Sequence, residues 1–165
     1  MSFHFTGSGG DLAANHGEYL QQLGALLSGE EDWLANLANA ASLLALQLDR
    51  INWTGFYLLR GEELVLGPFA GKPACTRIAI GRGVCGAAAQ QRSTIVVTDV
   101  NQFPGHIACD DASRSEIVVP LLQDGRLVGV LDTDSPEVGR FGEAEQRYLE
   151  EVARLVAPWA AQACR

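Results

Sequence analysis

Residues 116–134 read EIVVPLLQDGRLVGVLDTD and decide the fold class, because they contain two β-strands and the turn between them. Glu116–Leu122 and Arg126–Asp134 are rich in β-branched and aliphatic residues, which is typical of strands. The intervening segment, Gln123-Asp124-Gly125, contains the Asp-Gly pair that favours a two-residue hairpin turn. The stretch therefore predicts two neighbouring antiparallel strands.

Four further segments on the N-terminal side of this hairpin also have the composition of strands. They are Ile51–Leu59, Glu63–Phe69, Cys75–Ile80 and Thr94–Asp99. Nothing among the later strands suggests the alternation of strand and helix that builds a parallel sheet. We predict a mostly antiparallel six-stranded sheet.

Apolar residues recur every three or four positions near both ends of the chain, which predicts helices there. They run from Asp11 to about Leu27, from Trp33 to about Asp49, and from about Glu143 to Ala163. Ser28-Gly29-Glu30-Glu31 has the form of a capping box for the second helix, and Pro158 should kink the last helix or end it early.

The expected fold is therefore an α+β domain whose N- and C-terminal helices pack on one face of the sheet. We assign residues 11–165 to this single domain and the Gly- and Ser-rich residues 1–10 to a flexible N-terminal tail. A length of 165 residues fits one domain of ordinary size.

Charge and hydropathy exclude several classes of function. Twenty acidic residues against twelve lysines and arginines give a net charge of -8, which repels nucleic-acid phosphates. No segment reaches the roughly 18–20 apolar residues of a membrane helix, and the first ten residues do not resemble a signal peptide. We expect a cytoplasmic protein that binds neither nucleic acid nor membrane.

The four cysteines are Cys75, Cys85, Cys109 and Cys164. In a reducing compartment they should rest as thiols, so a disulfide among them would be transient and catalytic. No two form a C-x-x-C pair, and the one close Cys/His pair, His106 and Cys109, stands alone. We predict no metal site and no cofactor, and redox chemistry stays open.

The segment Gly81-Arg82-Gly83-Val84-Cys85-Gly86 imitates the dinucleotide-binding pattern G-x-G-x-x-G. The helix after it, Val84–Gln91, is short, and the later strands look antiparallel, so we interpret the glycines as a tight turn into that helix. Cys85 then lies near a helix N-terminus, where the pKa of a thiol is lowered. Its apolar neighbours indicate a buried helix instead, where cysteine is commonly inert.

Cys109 lies in a polar, loop-like segment, residues 101–111, where functional residues concentrate. His106 is close enough in sequence to influence this thiol, whereas Asp110 and Asp111 oppose a low thiol pKa. The spacing favours Cys109 as a nucleophile without excluding Cys85.

Two strands carry unusual residues on one face. Trp53 and Tyr57 are four residues apart and share a face, and another strand turns from valine to Asp132 and Asp134 on one face. If both faces line one cavity, the carboxylates would pair with an ammonium and the aromatic rings would contact a cation or sulfur. The alternative is that the aspartates end the strand and the aromatics are core, and spacing alone favours this alternative.

Six motifs together resemble the free methionine-(R)-sulfoxide reductases, which are single GAF-domain enzymes. They are NWTGFYL (52–58), LGPF (66–69), GRGVCG (81–86), GHIACD (105–110), SRSEIVVP (113–120) and GVLDTDS (129–135). The resemblance spans roughly Glu18 to Gln162. The Gly- and Ser-rich start, Pro158 and Cys164 have no counterpart in it.

The resemblance implies a role for each matching position. Cys109 would be the nucleophile, Cys75 the usual resolving cysteine and Cys85 an additional thiol that assists recycling. The side chain of the substrate would lie between two aromatic residues, and three carboxyl groups would hold its ammonium and polarise or protonate its sulfoxide oxygen. These residues are Trp53, Tyr57, Glu116, Asp132 and Asp134.

The implied cycle converts Cys109 to a sulfenic acid, releases methionine, forms an intramolecular disulfide and ends with reduction by thioredoxin. The resemblance also suggests a homodimer. Two other classes remain open, a non-catalytic GAF sensor of a small ligand and a redox-sensing interaction protein. A sensor consumes no reductant, and a redox sensor oxidises its thiols without turning over a sulfoxide.

Overall fold

The computed structural model describes residues 10–107 and 110–164. Within these residues six strands form one sheet in the order β3–β2–β1–β6–β5–β4, and every neighbouring pair is antiparallel. The strands are β1 (Trp53–Arg60), β2 (Glu63–Gly71), β3 (Arg77–Ala79), β4 (Ile95–Val97), β5 (Ser115–Gln123) and β6 (Arg126–Ser135). The predicted antiparallel α+β architecture is confirmed. Of the predicted tail, only Gly10 is among the described residues.

The hairpin between β5 and β6 closes through Asp124 and Gly125, as predicted. Both residues have positive φ, 51° and 76°, and Gln123 pairs with Arg126 on either side of them. Left-handed conformation at both central positions matches the right-handed twist of the strands, and Asp and Gly tolerate it. This turn fixes the register of the two strands that carry the acidic residues.

The helices are α1 (Leu12–Leu27), α2 (Trp33–Gln47), α3 (Gly83–Gln91) and α4 (Glu143–Ala163). The N- and C-terminal helices α1, α2 and α4 pack together on one face of the sheet, whereas α3 packs on the other. Leu23, Leu37, Leu44, Leu131 and Val156 are completely buried in the helix-side core. Within the described part of the chain, no helix combines the length and hydropathy needed to cross a bilayer.

The predicted capping box of α2 is wrong. Ser28 terminates α1 instead and its hydroxyl donates to the carbonyl of Ala25 at 2.9 Å. Asp32 caps α2, because its carboxylate accepts the backbone N–H of Ala35 at 2.9 Å. A carboxylate directly before the first helical residue accepts a free backbone N–H, as a serine side chain can. Its negative charge also interacts favourably with the helix dipole.

Pro158 does not end α4, which continues to Ala163. Proline removes the hydrogen bond to the carbonyl four residues earlier, that of Arg154. Both residues are exposed, so water can satisfy this carbonyl without a break in the helix.

Gly86 allows α3 to lie directly against β3. A Cβ atom on Gly86 would collide with the backbone carbonyl oxygen of Ala79, and the N–H of Gly81 donates to the carbonyl of Gly86 at 2.8 Å. The glycines therefore form a compact turn. The antiparallel sheet excludes the βαβ unit that a dinucleotide site requires.

We predict that Gly86→Ala lowers the free energy of unfolding by about 1–3 kcal/mol, because backbone atoms must move to admit the methyl group. Gly24→Ala is the matched control, since a Cβ there meets no atom within 4 Å. It should raise the free energy of unfolding by about 0.5–1 kcal/mol through its better helix propensity. Urea unfolding of both variants checks the pair, and equal effects at the two sites would contradict the close packing of α3.

Candidate active site

The sheet register brings the predicted acidic and aromatic residues into one row. Trp53 on β1 is paired with Asp134 on β6, and Asp134 is paired in turn with Glu116 on β5. Asp132 lies one step along, opposite Gly55. Residues directly opposite each other in neighbouring strands point to the same face. The register therefore places Trp53, Asp134 and Glu116 in one row, with Asp132 on the same face beside it, and their role in binding stays a prediction.

This row forms the floor of a pocket on the face opposite α1, α2 and α4. The pocket contains about 530 Å³ of space, a volume that includes its opening to solvent. Its walls come from the first turn of α3, from residues 73 and 74, and from residues 106, 107, 110 and 113. A ligand in it would be surrounded by protein on most sides.

Three carboxyl groups meet in this pocket. Glu116 and Asp132 are each only 6% exposed, and Asp134 is partly buried. Burial raises the pKa of all three carboxyls well above the usual range, and the repulsion among them raises the pKa further. Oδ1 of Asp132 is buried without a hydrogen-bond partner among the described residues. Burial and repulsion therefore favour the protonated carboxyls, and Oδ1 of Asp132 is an unsatisfied acceptor for a cationic ligand.

Trp53 and Tyr57 form the aromatic wall of the pocket. Their rings stack at 5.9 Å between centroids, and the ring of Phe69 also stacks on Trp53 at 5.3 Å. Their polar atoms are hydrogen-bonded, because Trp53 Nε1 donates to the carbonyl of Lys72 at 3.1 Å and Tyr57 Oη donates to that of Cys75 at 2.9 Å. The two rings are thus part of the core and line the pocket at once.

His106 belongs to the site, although the sequence pattern related it only to Cys109. Its Nε2 lies 3.5 Å from Oε2 of Glu116, and it lines the pocket. Burial lowers the pKa of His106, which favours the neutral imidazole. A neutral imidazole can accept a hydrogen bond from a protonated carboxyl, or donate one to it through its own N–H. A histidine in the loop that precedes Cys109 was the one available signal for this contact.

Cys85 lies in the first turn of α3 but is not activated there. The side chain is 4% exposed, and its Sγ is 4.0 Å from Oε1 of Glu116. Burial raises the pKa of this thiol well above its usual value, and the carboxylates of Asp132 and Glu116 raise it further. The expected effect of the helix N-terminus is therefore overridden, and Cys85 is a protonated thiol.

The other cysteines have separate positions. Cys109 lies outside the described residues. The carbonyl of Cys75 accepts the hydroxyl of Tyr57, and Cys75 is not among the free thiols. Cys164 is free and donates to the carbonyl of Val128 at 3.1 Å. Cys164 packs against the helix-side core, away from the pocket. It has no part in the site.

Cys85, Glu116 and Asp132 are also a possible set of metal ligands, since one donor atom from each lies within 4.8 Å of the others. A metal ion binds deprotonated thiolates and carboxylates. The pKa values of all three groups are raised, so deprotonating them for a metal ion costs free energy. That the site works without a metal stays a prediction.

Comparison with known proteins agrees with the fold. The model of the GAF domain family matches residues 31–158. Together with the antiparallel sheet and the enclosed pocket, this match makes the protein a GAF domain.

Closer relatives define the particular family. An Escherichia coli protein named free methionine-R-sulfoxide reductase is 52% identical over 132 residues, 79% of this chain and 80% of that protein. A Saccharomyces cerevisiae protein of the same name is 44% identical and covers 86% of each chain. The X-ray structure of free methionine-R-sulfoxide reductase from Neisseria meningitidis in complex with its substrate is 47% identical, covers 98% of each chain and has a TM-score of 0.89. The chain belongs to the free methionine-R-sulfoxide reductase family.

The buried carboxyls predict how stability depends on pH. Their pKa is raised in the folded state, so the folded protein keeps protons that the unfolded chain has already released. The free energy of unfolding should therefore fall as pH rises above about 4, by up to about 1.4 kcal/mol per pH unit and group. Asp132→Asn should make this fall shallower between pH 5 and pH 8 in urea titrations.

The matched control is Asp124→Asn in the exposed hairpin turn, which should leave the pH dependence unchanged. An equal pH dependence in Asp132→Asn and the unmodified protein would show that Asp132 is charged in the folded state.

Proposed function

We propose that this protein reduces free L-methionine-(R)-sulfoxide to methionine. The observation that carries the proposal is the buried carboxyl cluster beside an aromatic wall in one pocket. Family membership adds support, because the E. coli and yeast relatives are named for this activity. The substrate-bound relative from N. meningitidis has nearly the same fold over nearly the whole chain.

Recognition of a free amino acid follows from the chemistry of the pocket. A substrate ammonium would donate to the unsatisfied Oδ1 of Asp132 and be attracted by Asp134. The methyl and sulfur groups would contact the rings of Trp53 and Tyr57, since aromatic rings interact favourably with sulfur. A protonated Glu116 or aspartate would then donate its proton to the sulfoxide oxygen.

The nucleophile in this proposal is Cys109. Its thiolate attacks the sulfoxide sulfur while a carboxyl protonates the oxygen, and the oxygen passes to Cys109 as a sulfenic acid as methionine is released. The thiol of Cys75 then attacks the sulfenic sulfur, forming a disulfide and expelling water. Two electrons from the thiols of thioredoxin restore both cysteines.

Cys85 has a smaller role in this cycle. Its thiol is buried among carboxyls, so a thiolate forms there only at a high free-energy cost. We propose that Cys85 assists recycling after the pocket has emptied, that the protein works in a reducing compartment such as the cytoplasm, and that it does so as a homodimer.

We predict that the protein consumes NADPH with thioredoxin, thioredoxin reductase and the (R)-sulfoxide of free methionine, and not with the (S)-epimer. Cys109→Ser should abolish this consumption, because a serine hydroxyl does not attack the sulfoxide sulfur. Cys164→Ser is the matched control and should retain full activity, since Cys164 packs against the other face of the sheet.

Two results would contradict the proposal. NADPH consumption unchanged by Cys109→Ser would move the nucleophile elsewhere. No consumption with either epimer, together with measurable binding of the amino acid, would favour the non-catalytic sensor.

A further inference from the structure

Asn52, the residue directly before β1, connects the central strands of the sheet to the segment that contains Cys109. Its backbone N–H donates to the carbonyl of Asp134 at 3.0 Å, so its main chain is tied to β6. Its side-chain Nδ2 donates to Oδ2 of Asp110 and to Oγ of Ser113, each at 3.1 Å. One amide group therefore holds two residues of the segment against the ends of the central strands.

The orientation of the Asn52 amide indicates that the bond to Asp110 matters. Oδ1 of Asn52 is buried and has no hydrogen-bond partner among the described residues, which costs free energy. The reversed amide would direct Oδ1 at the carboxylate of Asp110 and lose that bond, whereas the hydroxyl of Ser113 can donate to Oδ1 or accept from Nδ2. The observed orientation therefore keeps the bond to Asp110 at the expense of an unsatisfied oxygen.

Asp110 is well suited to be held in this way. Its other oxygen, Oδ1, accepts the N–H of Ala112 at 2.9 Å and lies 3.8 Å from Nζ of the exposed Lys72. The pKa of Asp110 is lowered, first by the hydrogen bond from Ala112 and also by those from Asn52 and Lys72. Asp110 is therefore an ionised acceptor, and bonds to it are stronger than those to a neutral group.

We propose that Asn52 is a positioning residue for the nucleophile, acting through the carboxylate of Asp110. This inference rests on the function proposed above. Consecutive Cα atoms are about 3.8 Å apart, so fixing Asp110 fixes the point at which the chain leaves Cys109. A displacement of about 1 Å at a reacting group can reduce a rate about 100-fold.

The test compares Asn52→Asp, Asn52→Ala and the exchanged pair Asn52→Asp with Asp110→Asn. Asn52→Asp places two carboxylates together, whereas Asn52→Ala only removes the donor. The exchanged pair restores the hydrogen bond with donor and acceptor reversed. Methionine released in a single turnover without reductant isolates the chemical step from recycling by thioredoxin.

We expect the single-turnover rate of Asn52→Asp to fall at least tenfold, while KM changes less than threefold. Asn52→Ala should show a smaller loss of the same kind, and the exchanged pair should recover at least half of the lost rate. Hydrogen exchange of the peptide that contains residues 110–113 should accelerate in both single variants and slow again in the exchanged pair. This second readout does not need activity.

The matched control is Asn36→Asp, in a buried asparagine of α2 whose Oδ1 is also unsatisfied and whose Nδ2 donates to the carbonyl of Glu30. It should lower stability without changing the single-turnover rate. Unchanged rate and exchange in Asn52→Asp and Asn52→Ala, or no recovery in the exchanged pair, would overturn the inference. If the unmodified protein releases no methionine, the proposed function fails, and hydrogen exchange still decides whether Asn52 holds Asp110.

Discussion

Three carboxyl groups lie so deep and so close together in this molecule that charging all of them at once is unfavourable. Glu116, Asp132 and Asp134 lie on the same face of two neighbouring strands, and both burial and mutual repulsion raise the pKa of each. The effective cost of burying an unpaired ion is several kcal/mol. The rest of the site follows from this constraint, because the pocket must either keep protons on these groups or admit a cation.

The same cluster also lowers the reactivity of the Cys85 thiol. A helix N-terminus typically stabilises an anion by about 0.3–1 kcal/mol, which is less than one pKa unit. Burial can shift a pKa by about 3–5 units, and nearby carboxylates add to it. At Cys85 both of these larger effects favour the neutral thiol. The raised pKa of Cys85 therefore argues against Cys85 as the nucleophile, and the assignment to Cys109 stays a proposal.

Local patterns in the sequence were sufficient for much of the fold. The Asp124-Gly125 turn and the bounds of α1 and α4 depend on neighbouring residues, and they were predicted closely. The N-cap of α2 was predicted wrongly because two capping candidates, Ser28 and Asp32, compete within five residues. Residues on single strands, such as Trp53 and Tyr57, could be placed on a common face from alternation alone.

Contacts between residues that are distant in the sequence could not be predicted from local patterns. The strand order places β1 beside β6, and nothing local specifies that neighbour. His106 meets Glu116, and Asn52 meets Asp110 across 58 positions, only after the sheet has formed. The buried environment of Cys85 likewise depends on residues from β5 and β6. The resemblance to a known family predicted the carboxyl and aromatic residues of the site. It did not predict the contact of His106 with Glu116 or that of Asn52 with Asp110.

The central claim is that the buried carboxyls recognise a free ammonium. The most direct test compares kcat/KM for free methionine-(R)-sulfoxide and its N-acetyl derivative with the same reductant, because acetylation removes the charge and adds little bulk. Loss of one partner from a buried charged pair costs about 3–5 kcal/mol, which corresponds to hundreds- to thousands-fold in binding. We predict that kcat/KM falls at least about 100-fold on acetylation. Values within a few-fold of each other would show that the pocket contains no ammonium site.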